Sequence, residues 1–453
     1  SDFGARYFLQ WVFLFVGGCV DLDMYRYILV ILFIGVVFLS CEDEPVTPSA
    51  NAGNQNTFNC GLDTLFSKEV GGPGNTGYDL IRLDIDCSYV IAGKKTKRPW
   101  LLKVDESGNE VWSKVFDEIP QPQGEFGEGY QFATAVNQTS DGGFILCSSV
   151  YPTHPSYGTG YVIKADSAGQ TEWLTELDYS RPHHAQDIIQ TLEGDYLLVG
   201  WWYVNAAETS QKSAFMARIG EGGSIQWTQR YGGDCDEDQF NAVVQTDDGG
   251  FITVGEFEHE GDGFNCSFYG YTDLWFMKTD SEGNMVQEAK YGGAYWERAT
   301  DIVSLPDGNY AVSGRKRHTK QHPINAWLLK MSSTGSILWE WNEPDYSTGI
   351  SRGDELRTLS LTDDGQTIIS MGFEYAMPID NIEPKVWVFD ANSSTLLWSN
   401  NYGGEASDNE GAGIVNAFDG GFLFFGYNDG GLANMSHHIR LTKTDSEGNT
   451  VQQ

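Results

Sequence analysis

The sequence is short of basic residues. Its 453 residues include 28 Lys and Arg against 63 Asp and Glu, which gives a formal net charge of −35 at pH 7. The acidic residues are spread along the chain rather than gathered in one tail, so the whole surface is expected to repel phosphate backbones. We therefore expect no nucleic-acid partner, and we interpret the charge as favouring solubility in a salty or extracellular setting.

Metal-ligand patterns are lacking as well. The pairs His183–His184 and His437–His438 have no partners at a spacing that supplies four ligands. Asp234, Asp236 and Asp238 could bind calcium, but their loop lacks the glycine and the terminal Glu of an EF-hand. We expect no metal and no cofactor, with calcium at this acidic loop as the alternative.

Aromatic residues and glycine, in contrast, are plentiful. The chain has 14 Trp, 22 Tyr, 25 Phe and 53 Gly, a composition that excludes disorder for most of its length. The length suits two or three ordinary domains or one large repeat fold.

A repeated motif favours the single repeat fold. The stretch QTDDGGFITVG (245–255) recurs six times with small changes. The copies are QTSDGGFILCS (138–148), QTLEGDYLLVG (190–200), SLPDGNYAVSG (304–314), LTDDGQTIISM (361–371), NAFDGGFLFFG (416–426) and the degenerate LDIDCSYVIAG (83–93). The turn glycines recur every 52 to 59 residues, and Cys87 takes the glycine's place in the first copy. A period of this size with strand signals throughout predicts propeller blades rather than a helical solenoid.

Each copy holds four strand-like segments, which we label A to D. Asp-Gly and Asn-Gly turns join A to B and C to D as tight hairpins. The longer B–C and D–A connections must then share one face of the disc, which we call the top face. The sequence thus predicts an all-β, seven-bladed β-propeller of four-stranded antiparallel blades over residues 59–453.

The N-terminal end of this region predicts how the ring closes. DTLFSKEVGG (63–72) resembles the strand D endings IQWTQRYGG (225–233) and LLWSNNYGG (396–404), whereas the last residues, GNTVQQ, only begin such a strand. We expect the N-terminal strand to complete the last blade, which would remove an exposed edge.

Recurring tryptophans are expected to pack between blades rather than to bind a ligand. They stand at one position of strand D and one of strand C: Trp112, Trp173, Trp227, Trp339, Trp398, and Trp100, Trp275, Trp327, Trp387.

The repeats also resemble known families. KVDESGNEVW (103–112) and FDANSSTLLW (389–398) are similar to the Asp, Gly and Trp blade signature of quinoprotein-type propellers, and the whole unit resembles repeats of secreted Bacteroidota lipoproteins. The resemblance covers roughly residues 63–453 and implies the fold. Redox catalysis is not carried over, because most turns are one residue shorter and no adjacent cysteine pair or calcium-and-quinone constellation is visible.

The N-terminal region resembles a lipoprotein leader. Residues 24–41 (MYRYILVILFIGVVFLSC) have a basic start, an apolar core and a small residue before Cys41, as in signals cut before a lipidated cysteine; a plain signal peptide or an uncleaved anchor is the alternative. Residues 1–23 look like upstream translation, and residues 42–58 form a predicted flexible tether. The acidic start of that tether, CEDE, resembles the surface-export signal of Bacteroidota lipoproteins. We expect an outer-membrane, lipid-anchored protein exposed at the cell surface.

Five cysteines follow Cys41. Cys235 and Cys266 both fall in top-face loops of the fourth blade, and Cys60 and Cys87 both fall near the ring closure, so each couple is a predicted disulfide. Cys147 lies inside a strand and is expected to be a buried free thiol. The alternative is that all five are reduced.

The candidate binding site lies on the top face, where the copies diverge immediately after the glycine that ends strand B. Variable residues on a repeated frame are where binding usually resides. Because strand side chains alternate, at least one ring of the run 201–203 is expected to be exposed, with packing of Trp202 over the loop 205–214 as the alternative. The predicted ligand-binding residues are Trp201, Trp202, Tyr203, Glu256, Glu258, Tyr295, Trp296, Arg315, Arg317, Tyr375 and Tyr427.

Three functions are compatible with this pattern. The leading hypothesis is a non-catalytic surface lipoprotein that binds a glycan or protein ligand. The alternatives are a propeller glycoside hydrolase or lyase, with acid and base at the top-face channel, and a scaffold subunit of an outer-membrane complex.

Overall fold

A computed structural model gives the structure of the propeller region. The residues that it describes are 60–62, 64–120, 123–124, 127–128, 130–151, 159–177, 183–205, 208–233, 237–258, 271–293, 295–317, 324–344, 353–376, 381–403, 409–428 and 438–451. The predicted upstream segment, signal peptide with Cys41, and tether lie outside these residues. Within the described ranges, no helix has the length and apolarity needed to cross a membrane.

Seven antiparallel four-stranded sheets form the blades, and in the first six the strands lie in chain order A, B, C, D. Blade 1 contains β2 (Asn75–Leu83), β3 (Ser88–Lys95), β4 (Arg98–Asp105) and β5 (Glu110–Val115). Blade 2 contains β8 (Tyr130–Gln138), β9 (Phe144–Tyr151), β10 (Tyr161–Ala165) and β11 (Thr171–Glu176). Blade 3 contains β12 (His183–Gln190), β13 (Tyr196–Asn205), β14 (Glu208–Ile219) and β15 (Ile225–Tyr231).

The remaining blades repeat this arrangement. Blade 4 contains β16 (Gln239–Gln245), β17 (Phe251–Glu258), β18 (Thr272–Thr279) and β19 (Met285–Tyr291). Blade 5 contains β20 (Glu297–Ser304), β21 (Tyr310–Arg317), β22 (Ile324–Met331) and β23 (Ile337–Asn342). Blade 6 contains β24 (Glu355–Leu361), β25 (Thr367–Ala376), β26 (Asn381–Asp390) and β27 (Leu396–Asn401). Blade 7 contains β28 (Asn409–Asn416), β29 (Phe422–Asn428), β30 (His438–Thr444) and β1 (Phe66–Val70). A two-stranded ribbon of β6 (Gln123–Gly124) and β7 (Gly127–Glu128) precedes blade 2. The predicted all-β propeller of seven four-stranded blades is confirmed.

The geometry of the turn between strands A and B explains why the Asp-Gly motif recurs. In blade 2, Gly142 has a φ of 83°, and the Asp141 carboxylate accepts the Gly143 N–H at 2.9 Å. Positive φ favours glycine, yet Cys87 holds a φ of 53° at the same place in blade 1. The first copy therefore keeps the turn geometry without its usual residue.

One B–C connection differs from the expectation of long loops. In blade 1 only Thr96 and Lys97 separate the two strands, with φ of 50° and 67°. Two successive residues of positive φ are the mark of a tight type I′ hairpin.

The recurring tryptophans pack between blades, as predicted. Trp112 and Trp173 of strand D lie against the C–D turn glycines of the following blade, Gly169 and Gly223. The strand C tryptophans are at most 1% exposed: Trp100, Trp275, Trp327 and Trp387.

The outer strand of blade 7 comes from the N-terminal side of the chain. β1 pairs antiparallel with β30, from Phe66 opposite Lys443 to Val70 opposite Ile439. Phe66 lies against Gly108 of blade 1, just as the strand D tryptophans lie against the turn glycine of the next blade. The role of this pairing in closing the ring stays a prediction.

Two cysteine predictions are confirmed. Cys60 and Cys87 form a disulfide with their Cα atoms 5.4 Å apart. Cys147 is a buried free thiol, and burial raises its pKa. Cys235 and Cys266 lie outside the described residues.

Candidate functional site

A bulge in the innermost strand shapes the centre of the ring. In blade 3 the register between strands A and B shifts around Gln186, and the same shift occurs in every other blade. The extra residue bends the strand locally. In blades 1 to 6 the bulged residues line one central cavity of about 360 Å³: Tyr78, Thr134, Gln186, Asn241, Thr300 and Arg357.

The bulge also explains the glycine near the end of most copies of the repeated motif, which lies within strand B rather than at its end, as Gly200 does in β13 and Gly255 does in β17. A Cβ on Gly200 would stand 2.0 Å from the carbonyl oxygen of His184, and one on Gly255 would stand 2.0 Å from that of Gln239. Only glycine permits this approach of the two backbones without a shift.

In blades 1 to 6 the residue after this position of strand B lies opposite a strand A residue. The cross-strand pairs, in blade order, are Thr76 with Lys94, Phe132 with Ser149, His184 with Trp201, Gln239 with Glu256, Arg298 with Arg315, and Glu355 with Phe373. In blades 4 to 6 the strand A member of the pair lines the central cavity: Gln239, Arg298 and Glu355.

A second cavity, of about 500 Å³, opens on the blade 1 to blade 3 side, and we call it the aromatic pocket. Its lining residues are Tyr78, Lys94, Tyr130, Phe132, Thr134, Ser149, His184, Gln186 and Trp201. It shares Tyr78, Thr134 and Gln186 with the central cavity, so the two cavities are adjacent. We call the combined space the funnel.

Stacked rings form the wall of the aromatic pocket. Trp201 lies parallel to His184 with ring centroids 3.9 Å apart, and the Lys212 ammonium is 4.8 Å from the Trp201 ring. Burial, with smaller effects of Lys212 and His183, lowers the pKa of His184 to about 3. The imidazole is therefore neutral at physiological pH and acts as an aromatic and polar surface.

The opposite side of the funnel, on blades 5 and 6, is charged. Buried Glu355 accepts hydrogen bonds from Arg298 Nε at 3.0 Å and from Arg315 Nη1 at 3.3 Å. Burial alone would raise the pKa of Glu355, but Arg298, Arg315 and Arg357 outweigh it and hold the pKa below its ordinary value. The Arg357 guanidinium is 4.6 Å from the Phe373 ring. This side therefore carries an ionised carboxylate within a cluster of guanidinium groups.

Three half-buried aspartates line the central cavity directly after the bulges of blades 1, 3 and 5. Each accepts a backbone N–H from the next blade: Asp79 from Val136 at 2.8 Å, Asp187 from Val243 at 2.9 Å, and Asp301 from Leu359 at 2.6 Å.

Burial raises the pKa of all three carboxyls. The pKa of Asp187 rises to about 7 and that of Asp301 to about 8, with the backbone hydrogen bonds opposing the shift and mutual repulsion adding to it. Asp79 shifts in the same direction.

Sequence reasoning missed these aspartates, although a signal was present. The odd copies read YDLI (78–81), QDII (186–189) and TDIV (300–303), whereas the even copies carry Ala135, Ala242 or Thr358 at the aspartate position.

The expectation of an exposed ring in the run 201–203 is wrong. Trp201 is 6% exposed, and Trp202 and Tyr203 are half-buried. Trp202 stacks on Phe215 at 5.5 Å within the hydrophobic cluster between blades 2 and 3. His184 and Lys212 of the same blade cover the Trp201 ring, and the cluster between blades 2 and 3 covers Trp202. Trp201 lines the aromatic pocket, whereas Trp202 belongs to the packing.

Another group of predicted residues forms a separate surface, which we call the Trp296 shelf. Trp296 is 41% exposed, with the Arg317 guanidinium 5.0 Å from its ring. Tyr271 lies 5.6 Å from Trp296 and 5.4 Å from Tyr295. Neither cavity of the funnel includes these residues in its lining.

The structure thus divides the remaining predicted residues. Arg315 and Glu256 do not line the funnel themselves but hydrogen-bond to residues that do, Glu355 and Gln239 respectively. Glu258 has a structural contact, since its backbone N–H donates to Asp238 at 3.0 Å. The side chains of Tyr375 and Tyr427 lie outside the described residues.

The acidic loop of blade 4 is only partly described. Asp238 is buried, and its second carboxylate oxygen accepts the Gly233 N–H at 2.9 Å. Asp234 and Asp236 lie outside the described residues. In the part of the chain that the structure describes, no three His, Cys, Asp or Glu side chains cluster closely enough to hold a metal ion.

Comparison with known proteins gives structural likeness only. No family model matches the sequence, and no curated protein matches it. The WD40 domain of Neurospora crassa Pan2 has a TM-score of 0.48 at 11% identity, over 87% of this chain and 99% of that one. The Dos1 propeller has a TM-score of 0.48 at 10% identity, over 87% and 97%. The GH93 alpha-L-arabinofuranosidase of Fusarium graminearum, solved with arabinobiose, has a TM-score of 0.42 at 10% identity, over 68% and 92%. At these values the likeness is one of propeller architecture, and it carries no argument about what this chain binds or does.

Proposed function

We propose that the protein binds a glycan in the funnel without catalysing its cleavage. The aromatic pocket is the observation that carries this proposal. Beside the buried Trp201 and His184 pair, the half-buried rings of Tyr78 and Phe132, at a centroid distance of 4.8 Å, offer apolar surface suited to the C–H face of a sugar ring. Polar groups share the lining, as in binding sites where a few of them fix the ligand's orientation among apolar walls.

The state of the funnel carboxyls supports binding rather than hydrolysis. A glycosidase needs one carboxyl to protonate the leaving group and another to act as a base or nucleophile. In the described part of the funnel, Glu355 is held between Arg298 and Arg315. Each of the three aspartates after the bulges accepts two backbone hydrogen bonds. Asp187, for example, accepts those from Ile188 and Val243. These carboxyls are engaged in holding the ring together.

Two exposed aromatic residues allow a matched test of the site. Tyr130 stands at the entrance of the aromatic pocket and is 47% exposed, whereas Trp296 is 41% exposed on the shelf. Binding to a panel of neutral and acidic oligosaccharides would be measured by calorimetry for wild type, Tyr130→Ala and Trp296→Ala. We expect Tyr130→Ala to weaken binding about fivefold, as a ring contact of about 1 kcal/mol predicts, and Trp296→Ala to bind as wild type.

Other outcomes would contradict the proposal in different ways. Loss of binding in Trp296→Ala alone would move the site to the shelf. Absence of binding across the panel would leave a protein ligand or a scaffold role, and cleavage of any panel member would indicate the hydrolase. Both variants should melt within a few degrees of wild type, because exposed rings contribute little to the core.

The place of action is a second part of the proposal. The predicted lipidation of Cys41, the tether 42–58 and the acidic surface support a lipid-anchored protein at the outer membrane, displayed outside the cell.

A further inference from the structure

A basic run borders the aromatic pocket of this acidic protein. Residues 94–98 read KKTKR, in a chain whose net charge is −35. Two of these cations have structural roles, since Lys95 Nζ donates to the Gly71 carbonyl at 3.1 Å and Arg98 donates to the Ile119 carbonyl. Lys94 and Lys97 instead flank the exposed Tyr130 ring, at 5.1 Å and 5.5 Å from its centroid.

Lys94 differs from Lys97 in its position. It lines the aromatic pocket, together with Tyr78 and Trp201. It is also the first residue after the strand B glycine of blade 1, and the residues at this position in blades 2 and 3, Ser149 and Trp201, line the same pocket. Its ammonium group is therefore available to a ligand inside the pocket.

The ammonium of Lys94 lacks a carboxylate partner among the residues that the structure describes. Among these residues, the Lys94 ammonium contacts the Tyr130 ring. Partial burial lowers the pKa of Lys94 below its ordinary value, because the cation loses water without gaining a countercharge. An anion arriving in the pocket would supply that countercharge.

The backbone fixes Lys94 in place. The Thr96–Lys97 turn that follows is the two-residue hairpin with φ of 50° and 67°. Non-glycine residues rarely adopt positive φ, and a tight hairpin sets the register of its strands. Lys94 accordingly sits on a defined strand position rather than on a long loop.

We propose that the sugar unit held in the aromatic pocket carries an anionic group, which Lys94 binds while the Tyr78, Phe132 and Tyr130 rings contact the sugar ring. This inference rests on the proposed function and adds the ligand class: an acidic glycan. A uronic acid carboxylate and a sulfate ester are the two sources of such a group. Elsewhere the negative surface disfavours a polyanion, so the basic border also fixes where such a chain can enter.

The test compares acidic oligosaccharides with uncharged partners of the same ring. Oligogalacturonides and alginate oligosaccharides would be measured beside their carboxyl-reduced forms, and dextran sulfate beside dextran. We expect the charged member of at least one pair to bind about tenfold or more tightly, since hydrogen bonds to charged groups are the stronger class. This preference should shrink as salt rises from low to physiological strength. The pairs that show it distinguish carboxylate from sulfate.

Lys94→Gln and Lys97→Gln form the matched variants. Both remove one positive charge beside the same ring, but only Lys94 lines the pocket. Lys94→Gln should abolish the preference for the charged member, and Lys97→Gln should keep most of it.

Two results overturn the inference alone: equal affinity of wild type for both members of every pair, or an unchanged preference in Lys94→Gln. Binding of no oligosaccharide, charged or uncharged, overturns the proposed function together with it. Melting temperatures of the two variants confirm that the fold is intact.

Discussion

The carboxylate of Asp187 in blade 3 accepts the backbone N–H of Val243 in blade 4, at 2.9 Å. Its other oxygen accepts the N–H of Ile188 at 2.7 Å. A carboxyl on the wall of the central cavity thus links two blades, and its ionisation state affects how firmly they are joined.

Stability should consequently fall as pH rises from 5 to 9. The folded-state pKa values of Asp187 and Asp301, about 7 and about 8, lie above the ordinary value of an unfolded chain. The folded protein therefore binds more protons, so this stabilisation is complete below about pH 4 and is lost as pH passes 7 to 8. Buried Glu297, whose pKa burial raises to about 7, adds to the same trend.

The pH dependence can be assigned with variants. Asp187→Asn/Asp301→Asn should melt lower than wild type at pH 5, because one N–H at each site loses its acceptor at a cost of about 1 to 3 kcal/mol, but its melting temperature should change less with pH. Asp247→Asn, at an exposed turn of blade 4, serves as the control. An equally steep profile in the double variant would assign the effect to other groups.

Alanine at the strand B glycine should be strongly destabilising. A Cβ on Gly255 would stand 2.0 Å from the Gln239 carbonyl oxygen, whereas a Cβ on Gly222 meets nothing within 4 Å. We expect Gly255→Ala to lower the free energy of unfolding by more than about 2 kcal/mol and Gly222→Ala to change it by at most about 0.5 kcal/mol. Urea denaturation of both variants checks this, and a mild Gly255→Ala would mean that the bulge can relax.

Truncation tests ring closure by the N-terminal strand. Removing 42–72 should cost at least about 3 kcal/mol more than removing 42–58, because only the longer deletion takes Phe66 and Val70, whose burial contributes about 1.5 to 3 kcal/mol each. Cys60→Ser in the full chain separates the contribution of the disulfide. Equal melting temperatures for the two truncations would rule out closure by this strand.

Lipidation of Cys41 predicts membrane attachment. A fatty-acid probe supplied to expressing cells should label the wild type, and Cys41→Ala should be unlabelled and released from the membrane fraction. A soluble, unlabelled wild type would contradict the anchor.

Much of the fold could be predicted because its signals are local. The Asp-Gly turns specify their hairpins through positive φ, and Trp112 and Trp173 recur with the repeat because each meets a glycine of the next blade. The Cys60 and Cys87 pairing followed from the placement of both residues beside the closure.

The binding site was harder to predict because it depends on which face of a strand each side chain occupies and on what packs against that face. Alternation shows that Trp201 and Trp202 point to opposite sides, but not that both sides of a blade are covered. Likewise, the bulge at Gln186 changes which face of strand A the following residues occupy. The sequence QDII alone therefore does not show that Asp187 lines the central cavity. Long-range packing decides both.

The aspartate links have a further consequence for how the ring is composed. They join blade 1 to 2, blade 3 to 4 and blade 5 to 6. The aspartate link therefore repeats once for every two blades, although the four-stranded fold repeats with every blade. Because the ring has seven blades, one blade is left outside these pairs. That blade carries Gly413 at the aspartate position and is the one in which strands from both ends of the propeller sequence meet.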